Sequence, residues 1–196
     1  MKKKLTTRVT IFIILLIVVV VGYYAYLSGK SKTKQDEARM TVVQETLSRD
    51  LERDYPATPK EVMKYYNAIL RCFYNEECTE EQIEDLGNKA RELYDAELLE
   101  QNELGTYFIN LKADIQDYKD NERSITSFSV AASTSVDFFE EDGHSFARIM
   151  CGYNIMEKGE NHSSPQVYLL RCDENKRWKI YGWKAVEELE QETAQE

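Results

Sequence analysis

The chain has 196 residues, which is enough for one domain of typical size with an appendage and too few for two full domains. Its charges are unevenly distributed: residues 1–35 carry seven basic side chains and no acidic one, whereas the remainder carries 18 basic against 35 acidic, a net charge of −17. Such an acidic body repels phosphate backbones, which argues against nucleic-acid binding. A hydrophobic content of 42% with only three prolines argues against disorder beyond residue 58.

The nineteen residues from Val9 to Leu27 form a continuous apolar segment without any charge. At about 1.5 Å per residue, a helix of this length matches a hydrocarbon core of about 30 Å. A cleavable signal peptide is the alternative, but Tyr23 and Tyr24 stand where such a peptide has small residues. We therefore predict a basic tail over residues 1–8 and a retained transmembrane anchor over residues 9–28, which binds the lipid bilayer.

The basic residues on the two sides of this span predict its orientation. Four lie upstream, together with the free amine of the N-terminus, and four lie downstream between residues 30 and 39. The upstream group sits on a short tail next to the span, which favours a cytoplasmic N-terminus. The predicted location is therefore the cell membrane, crossed once, with the C-terminal domain extracytoplasmic.

An amphipathic stretch lies within the juxtamembrane segment, residues 29–57. Met40, Val43, Leu47 and Leu51 recur at helical spacing, so they form one apolar stripe. A dimerising coiled coil or a helix lying on the membrane is one interpretation. The stripe lasts only about two heptads, however, which favours a stalk helix that packs loosely on the domain.

Two capping signals and one long apolar stripe predict three helices in the body. Thr58, followed by Pro59 and Glu61, has the pattern of an N-cap and predicts a helix to about residue 74. Thr79 starts a second capping box and therefore a second helix. A third helix is predicted over residues 104–121, because its apolar residues recur at spacings of three and four.

Beyond the third helix, apolar residues alternate with polar ones, which predicts β-strands. The first strand covers residues 127–138 and turns into a second over residues 145–157. Pairing outward from that turn places Val136 opposite Ala147. One face of these strands is apolar, and the other is rich in serine.

Two more strands complete the predicted sheet. A loop around residues 159–164 leads to the third strand, and pairing about this loop places Cys151 opposite Cys172. A tight turn then starts the last strand, residues 177–184, in which a three-residue loop places Trp178 on the apolar face. Three helices followed by a four-stranded antiparallel sheet predict an α+β layer of helices on a sheet.

The order of these elements, the hairpin over residues 173–180 and the closing Gly182-Trp183 resemble the nuclear transport factor 2-like superfamily, also called SnoaL-like. The whole chain looks like an uncharacterised group of single-span, membrane-anchored members from Gram-positive bacteria. The resemblance implies a cone-like domain over residues 58–186, followed by an acidic tail over residues 187–196. In that superfamily the cone either binds a small ligand, sometimes catalytically, or is filled by side chains.

The predicted lining of such a cone contains no acid or base for catalysis, because the strand positions that face it carry no carboxylate and both histidines fall in turns. We therefore predict no catalytic residue, metal ligand or cofactor. Tyr66, Tyr153, Tyr168 and Trp178 either line a small apolar pocket or belong to the core. An open pocket that holds a carboxylate would favour ligand binding.

The four cysteines form no CxxC pair, which argues against a zinc site. Cys151 and Cys172 oppose each other in the predicted register, and an extracytoplasmic location permits a disulfide between them. Buried free thiols are the default interpretation, because both residues lie among core side chains, and the disulfide is the alternative.

The outer face of the predicted sheet combines basic and aromatic residues on an acidic body. Its members include Arg148, Arg171, Lys179, Tyr181 and Trp183. Arginine and aromatic side chains are enriched at interface cores, although the acidic tail is an alternative cover for this face. We therefore expect a membrane-anchored, non-enzymatic interaction or scaffold domain, in a homo-oligomer or an envelope complex. The alternative function is a small-ligand-binding or weakly enzymatic cone.

Overall fold

The computed structural model describes residues 40–188, and within them helices precede an antiparallel sheet. The helices are α1 Val42–Ser48, α2 Pro59–Asn75, α3 Glu80–Glu92, α4 Ala96–Gln101 and α5 Leu104–Asp120. The strands are β1 Arg123–Val130, β2 Asp137–Glu141, β3 His144–Glu157, β4 Glu160–Cys172 and β5 Trp178–Ala185. The predicted α+β class is thus confirmed, with five strands instead of four in the described chain.

The predicted capping residues begin α2 and α3. The Thr58 hydroxyl accepts a hydrogen bond from the backbone N–H of Glu61 at 3.2 Å. Thr79 forms a complete capping box, because its hydroxyl accepts from the Gln82 N–H while the Gln82 side chain accepts from its own N–H. These contacts satisfy backbone donors that a helix leaves unpaired at its N-terminus.

The amphipathic stretch at residues 40–51 is part of the folded body rather than a loose stalk. Val43 and Leu51 of this stretch are buried in the core. Tyr65 of α2 donates a hydrogen bond to the Thr46 carbonyl at 2.8 Å. The second of the chain's two compact units accordingly begins at Val42, sixteen positions before the predicted boundary at residue 58.

The predicted first strand, residues 127–138, is divided in two. A 3₁₀ turn at Ser133–Ser135 separates β1 from β2, and both strands pair with the long β3. Ala147 lies opposite Phe138 rather than Val136, a shift of two positions. Serine and threonine hydroxyls compete for backbone hydrogen bonds and favour turns, which is why this serine-rich segment interrupts the pairing.

The turn between β3 and β4 is tighter than predicted. Lys158 and Gly159 have φ of 49° and 88°, the positive values of a two-residue hairpin turn, so β4 begins at once instead of after a loop. Cys151 therefore pairs with Gln166, not with Cys172. Six residues along a strand separate Cys172 from the predicted position, about 20 Å, so the predicted disulfide is wrong. All four cysteines are free thiols.

Strand β5 contains a bulge that reverses its later side chains. Ile180 pairs with Leu170, but the next pair is Gly182 with Leu169, so Tyr181 is an extra residue. The alternation therefore changes after Tyr181, and Trp183 falls opposite Tyr168 on the helix-facing side. The prediction that Trp183 lies on the outer face is wrong for this reason.

The core lies between α2 and the inward side of the sheet. Val62, Met63 and Ile69 of α2 are fully buried, as are Leu170 and Ile180. The outer edge of β5 is closed by the segment between α3 and α4, because the Ile180 N–H donates to the Leu93 carbonyl at 2.8 Å. No helix within residues 40–188 is long and apolar enough to cross a membrane, and the predicted span lies outside these residues.

Candidate functional site: an aromatic cleft between helices and sheet

A cleft opens between helices α2 and α5 and the inward face of the sheet. It has two adjoining lobes of about 250 and 240 Å³, which share Tyr66, Tyr74, Asp114 and Trp183 among their lining residues. Seven of the thirteen tyrosines line it: Tyr66, Tyr74, Tyr94, Tyr107, Tyr118, Tyr153 and Tyr168. Most ligand pockets are lined mainly by apolar and aromatic side chains with a few polar groups, and this cleft has the same composition.

Three of the four predicted pocket residues come together here. Tyr66 belongs to the apolar stripe of α2, and Tyr153 and Tyr168 occupy inward positions on neighbouring strands. The hydroxyl oxygens of Tyr153 and Tyr168 lie 2.9 Å apart, whereas the hydroxyl of Tyr66 pairs with that of Tyr94 at 3.1 Å. The fourth residue, Trp178, does not line the cleft: it packs at the other end of the sheet, 5.6 Å from the ring of Phe138.

The hydroxyls of Tyr153 and Tyr168 belong to a buried chain of contacts. Tyr153 Oη lies 2.7 Å from Oδ1 of the fully buried Asn67, and Tyr168 Oη donates to Gln166 Oε1 at 2.8 Å. Two hydroxyl protons cannot serve three contacts, so one amide N–H must donate. Asn67 supplies it if its amide is turned by 180°, because its Nδ2 otherwise has no partner among the described residues.

The Cys151 thiol lies next to Asn67 and Tyr153 at the base of this chain. Burial raises the pKa of this thiol to about 11. Burial likewise raises the pKa values of Tyr66, Tyr153 and Tyr168, so these phenols remain neutral at physiological pH. The floor of the cleft is therefore uncharged and already hydrogen-bonded.

Four aromatic rings form a closed group at the junction of the lobes, which we call the four-ring cluster: Tyr66, Tyr94, Trp183 and Tyr168. Taken in that order, successive ring centroids are 6.0, 6.3, 5.8 and 6.1 Å apart. Trp183 is 41% exposed, so one side of the cluster faces the opening. The bulge in β5 creates this arrangement, because without it Trp183 would point to the opposite face of the sheet.

Asp114 is the one charged side chain among the described residues that line the two lobes. It is exposed at the mouth, and none of the ion pairs within residues 40–188 includes it. Burial raises its pKa above the ordinary carboxyl value, and the Asp117 carboxylate adds to the rise. Asp114 is not among the residues predicted from the sequence, although it lies between Leu111 and Tyr118 on the apolar face of α5.

The predicted interaction surface is only partly present. Arg148, Arg171, Lys179 and Tyr181 occupy outward positions on β3, β4 and β5, whereas Trp183 lies on the opposite side. Trp183 is nevertheless among the residues that line the groove beside Arg148 and Tyr181.

Arg171 is bound by carboxylates of the same chain. Its guanidinium lies 2.5 and 3.0 Å from the two carboxylate oxygens of Asp95 and 2.7 Å from Glu97. The hydrogen bond to Asp95 and the one to Glu97 raise the pKa of Arg171 further. Tyr181 also donates to Glu97, at 2.8 Å. Arg171 and Tyr181 thus hold the start of α4 against the sheet.

Lys179 is also occupied. Its Nζ donates to the Glu92 carbonyl at 2.6 Å and lies 4.5 Å from the ring centroid of Tyr55. Burial lowers its pKa. Arg148 has the looser contact, 3.3 Å from the Asp137 carboxylate, with both side chains more than half exposed. Of the predicted basic residues on this face, Arg148 is therefore the most accessible to a partner.

Comparison with known proteins gives a family and no established activity. No curated protein matches the chain. The family comparison, in contrast, covers the predicted anchor segment and nearly all of the folded body. The chain belongs to the family described as Domain of unknown function (DUF6715), which matches residues 1–183.

Proposed function

We propose that this protein is a small-ligand-binding domain of the nuclear transport factor 2-like type, held at the cell membrane by residues 9–28 with the domain outside. The observation that carries the proposal is an open cleft lined by aromatic rings with the Asp114 carboxylate at its mouth. A cone that is filled by its own side chains would not leave such an open cleft. The order of helices followed by an antiparallel sheet agrees with the resemblance to that superfamily.

The state of the polar groups supports binding without catalysis. The deeper hydroxyls of the cleft are paired with one another. Their raised pKa values keep them protonated at neutral pH, so they cannot accept a proton from a ligand. Asp114 has no second acid or base beside it among the lining residues described. A cleft with the exposed ring of Trp183 and one carboxylate can hold a ligand, but it lacks the paired groups that general acid–base catalysis uses.

The two tryptophans of the chain allow a direct test of ligand binding. In full-length protein labelled with 5-fluorotryptophan, the ¹⁹F resonance of Trp183 reports on the cleft and on the groove that Leu169 lines, and that of Trp178 reports on the far end of the sheet. Leu169→Glu obstructs the groove alone, so a Trp183 signal that still moves in this variant reports on the cleft. Trp178→Phe assigns the two signals. A set of small cationic, neutral and anionic aromatic compounds should include members that move the Trp183 signal saturably and leave the Trp178 signal in place. If no compound does so, the proposal fails.

An interaction surface on the outer face remains a second candidate function. Met150 is 51% exposed there, beside a groove of about 540 Å³ whose floor includes Val167 and Leu169. A groove of this composition suits an apolar side chain of a partner protein. Met150→Glu should abolish capture of such a partner, whereas Ile109→Glu, at a 71% exposed position on α5, should not. Equal effects of the two variants would remove this candidate.

Membrane attachment is tested separately. If residues 9–28 form a retained anchor, the full-length protein should stay in the membrane fraction after washing at alkaline pH. Protease added outside intact cells should then digest the domain. A shorter soluble form that begins near Ser28, or full protection of the domain, would overturn the anchor and the orientation respectively.

A further inference from the structure

The charge of the cleft differs from what an apolar or anionic ligand would need. Its lining offers the negatively polarised faces of aromatic rings and one carboxylate, and no lysine or arginine among the described lining residues. The chain from residue 36 onward carries a net charge of −17. Each of these features attracts a positive charge.

Two arginines stand at the border of the cleft, and both are held outside it. The Arg123 guanidinium lies 5.9 Å from the ring centroid of Tyr118, where Asp117 and Glu157 neutralise it at 2.6 and 3.1 Å. The Arg91 guanidinium lies 5.1 Å from the ring of Tyr107 and donates to a backbone carbonyl at 2.6 Å. Both contacts show that tyrosine rings of this cleft accept a cation on a face.

The ring that these arginines leave accessible is Trp183, which is 41% exposed, whereas the other three rings of the four-ring cluster are at most 6% exposed. The centroids of the cluster are 5.8 to 6.3 Å apart, so a cation on the exposed face of Trp183 rests on one continuous aromatic group. Aromatic groups of this kind bind quaternary ammonium ions in other proteins, because such ions have a spread positive charge and an apolar surface. A primary ammonium ion is more strongly hydrated and gains less.

The Asp114 carboxylate supplies the charge that the rings cannot. It lines the same lobe as Tyr74 and Tyr118, which are a second group of aromatic residues in the cleft. Those two rings are stacked, with their centroids 4.1 Å apart. A ligand that rests on the four-ring cluster therefore lies in the field of one unpaired carboxylate.

We infer that the cleft binds a small quaternary ammonium compound, with the trimethylammonium group against the four-ring cluster and within the field of Asp114. This inference rests on the proposed ligand-binding function and adds the chemical class of the ligand. A free organic cation and the headgroup of a choline lipid share this chemistry.

The test uses three molecules of nearly the same shape and different charge. Choline is positive, 3,3-dimethylbutanol is its neutral counterpart, and 3,3-dimethylbutanoate is negative. Each is titrated into full-length protein labelled with 5-fluorotryptophan in a maltoside detergent, whose headgroup carries no ammonium group. Choline should shift the Trp183 signal at a concentration about tenfold lower than the neutral alcohol, and the acid should not bind.

Matched variants separate the charge from the shape of the cleft. Asp114→Asn should weaken choline binding about tenfold and leave binding of 3,3-dimethylbutanol unchanged. Asp137→Asn removes an exposed carboxylate that lines neither lobe and should bind choline as the parent protein does, which controls for the loss of one negative charge. Equal binding of choline and the alcohol, or equal loss of both in Asp114→Asn, would overturn the inference while the proposed function stands. Failure of all compounds in the wider screen would overturn both.

The source of the cation is settled by a fourth ligand. Dihexanoylphosphatidylcholine carries the same trimethylammonium group next to a phosphate. Binding tighter than that of choline would assign the site to a lipid headgroup. Weaker binding would assign it to a free cation, because the phosphate is then repelled by Asp114.

Discussion

The two faces of the sheet differ in whether their charged groups are paired within the domain. On the outer face, Arg171 is enclosed by Asp95 and Glu97, so its charge is used within the domain. On the inner face, the hydroxyls are paired with one another, while Trp183 is 41% exposed and the Asp114 carboxylate has no ion-pair partner among the described residues. A paired charge stabilises the fold, and an unpaired one is available to a ligand. The groups available to a ligand therefore lie on the inner face of the sheet.

The largest expected effect is on the outer face. Arg171→Met leaves the Asp95 carboxylate, which is nearly fully buried, without its cation, and should lower the free energy of unfolding by about 3 kcal/mol. Arg148→Met removes an exposed ion pair and should cost less than about 1 kcal/mol. Urea unfolding of the two variants measures the difference. Similar losses would mean that the Arg171 pair is not structural.

The two tryptophans test where the bulge places their side chains. Trp178→Ala removes a ring packed against the core and Phe138, and should cost about 3 kcal/mol of unfolding free energy. Trp183→Ala removes a partly exposed ring stacked on Tyr168, and should cost about 1 kcal/mol. Thermal unfolding of both variants is the measurement. The reverse order would indicate that β5 has no bulge and that Trp183 faces outward.

The hydroxyl chain beneath the cleft gives a smaller effect. Tyr153→Phe leaves the fully buried Asn67 amide without its hydroxyl partner, and should cost about 2 kcal/mol. Tyr66→Phe breaks only the contact with the Tyr94 hydroxyl and should cost about 1 kcal/mol. Chemical denaturation of both variants compares them. If Tyr153→Phe cost no more than its control, the Asn67 amide would have another partner.

The smallest expected effect has the opposite sign. Burial raises the pKa of Asp114 above 3.8, so the folded state binds this proton more tightly than the unfolded state, and stability falls as pH rises through the interval between the two pKa values. Asp114→Asn should therefore stabilise the fold at neutral pH by less than about 1 kcal/mol, since solvent screens an exposed group, and the gain should vanish below pH 3.8.

Asp117→Asn is the matched control for this variant. It removes the partner that Arg123 contacts at 2.6 Å and should destabilise the fold at neutral pH. Denaturant unfolding at several pH values distinguishes the two aspartates. Destabilisation by both substitutions would show that Asp114 has a structural partner.

The helices could be predicted because their starting signals are local. Thr58 and Thr79 each satisfy backbone donors within their own first turn, so the sequence around them is sufficient. The register of the strands depends on how tightly each turn closes, and no residue outside the turn decides that. The tight turn with positive φ at Lys158 places β4 six residues out of the predicted register with β3, so Cys151 does not lie opposite Cys172. Because six is an even number, the predicted inward faces of both strands still meet.

The cleft could be predicted only in part for the same reason. Tyr153 and Tyr168 follow from strand alternation, which even shifts preserve. Trp183 could not be placed, because a bulge adds a single residue and so reverses the face. Tyr94 lies in the short connection between α3 and α4, where no periodicity applies. Asp114 could not be predicted from the apolar stripe of α5, because such a stripe is recognised by its hydrophobic members and a carboxylate on the same face interrupts it.

Because of the bulge, β5 can lose one residue at Tyr181 without a change in the direction of its later side chains. In a regular strand, the deletion of one residue turns every later side chain to the other face. Tyr181 is the surplus residue, so its deletion would restore regular alternation and keep Trp183 opposite Tyr168. The strand up to Ile180 is fixed independently by its hydrogen bonds to Leu93 and Asp95. Members of this family that are one residue shorter here can therefore have the same inner wall, and an alignment gap at Tyr181 need not mark a different cleft.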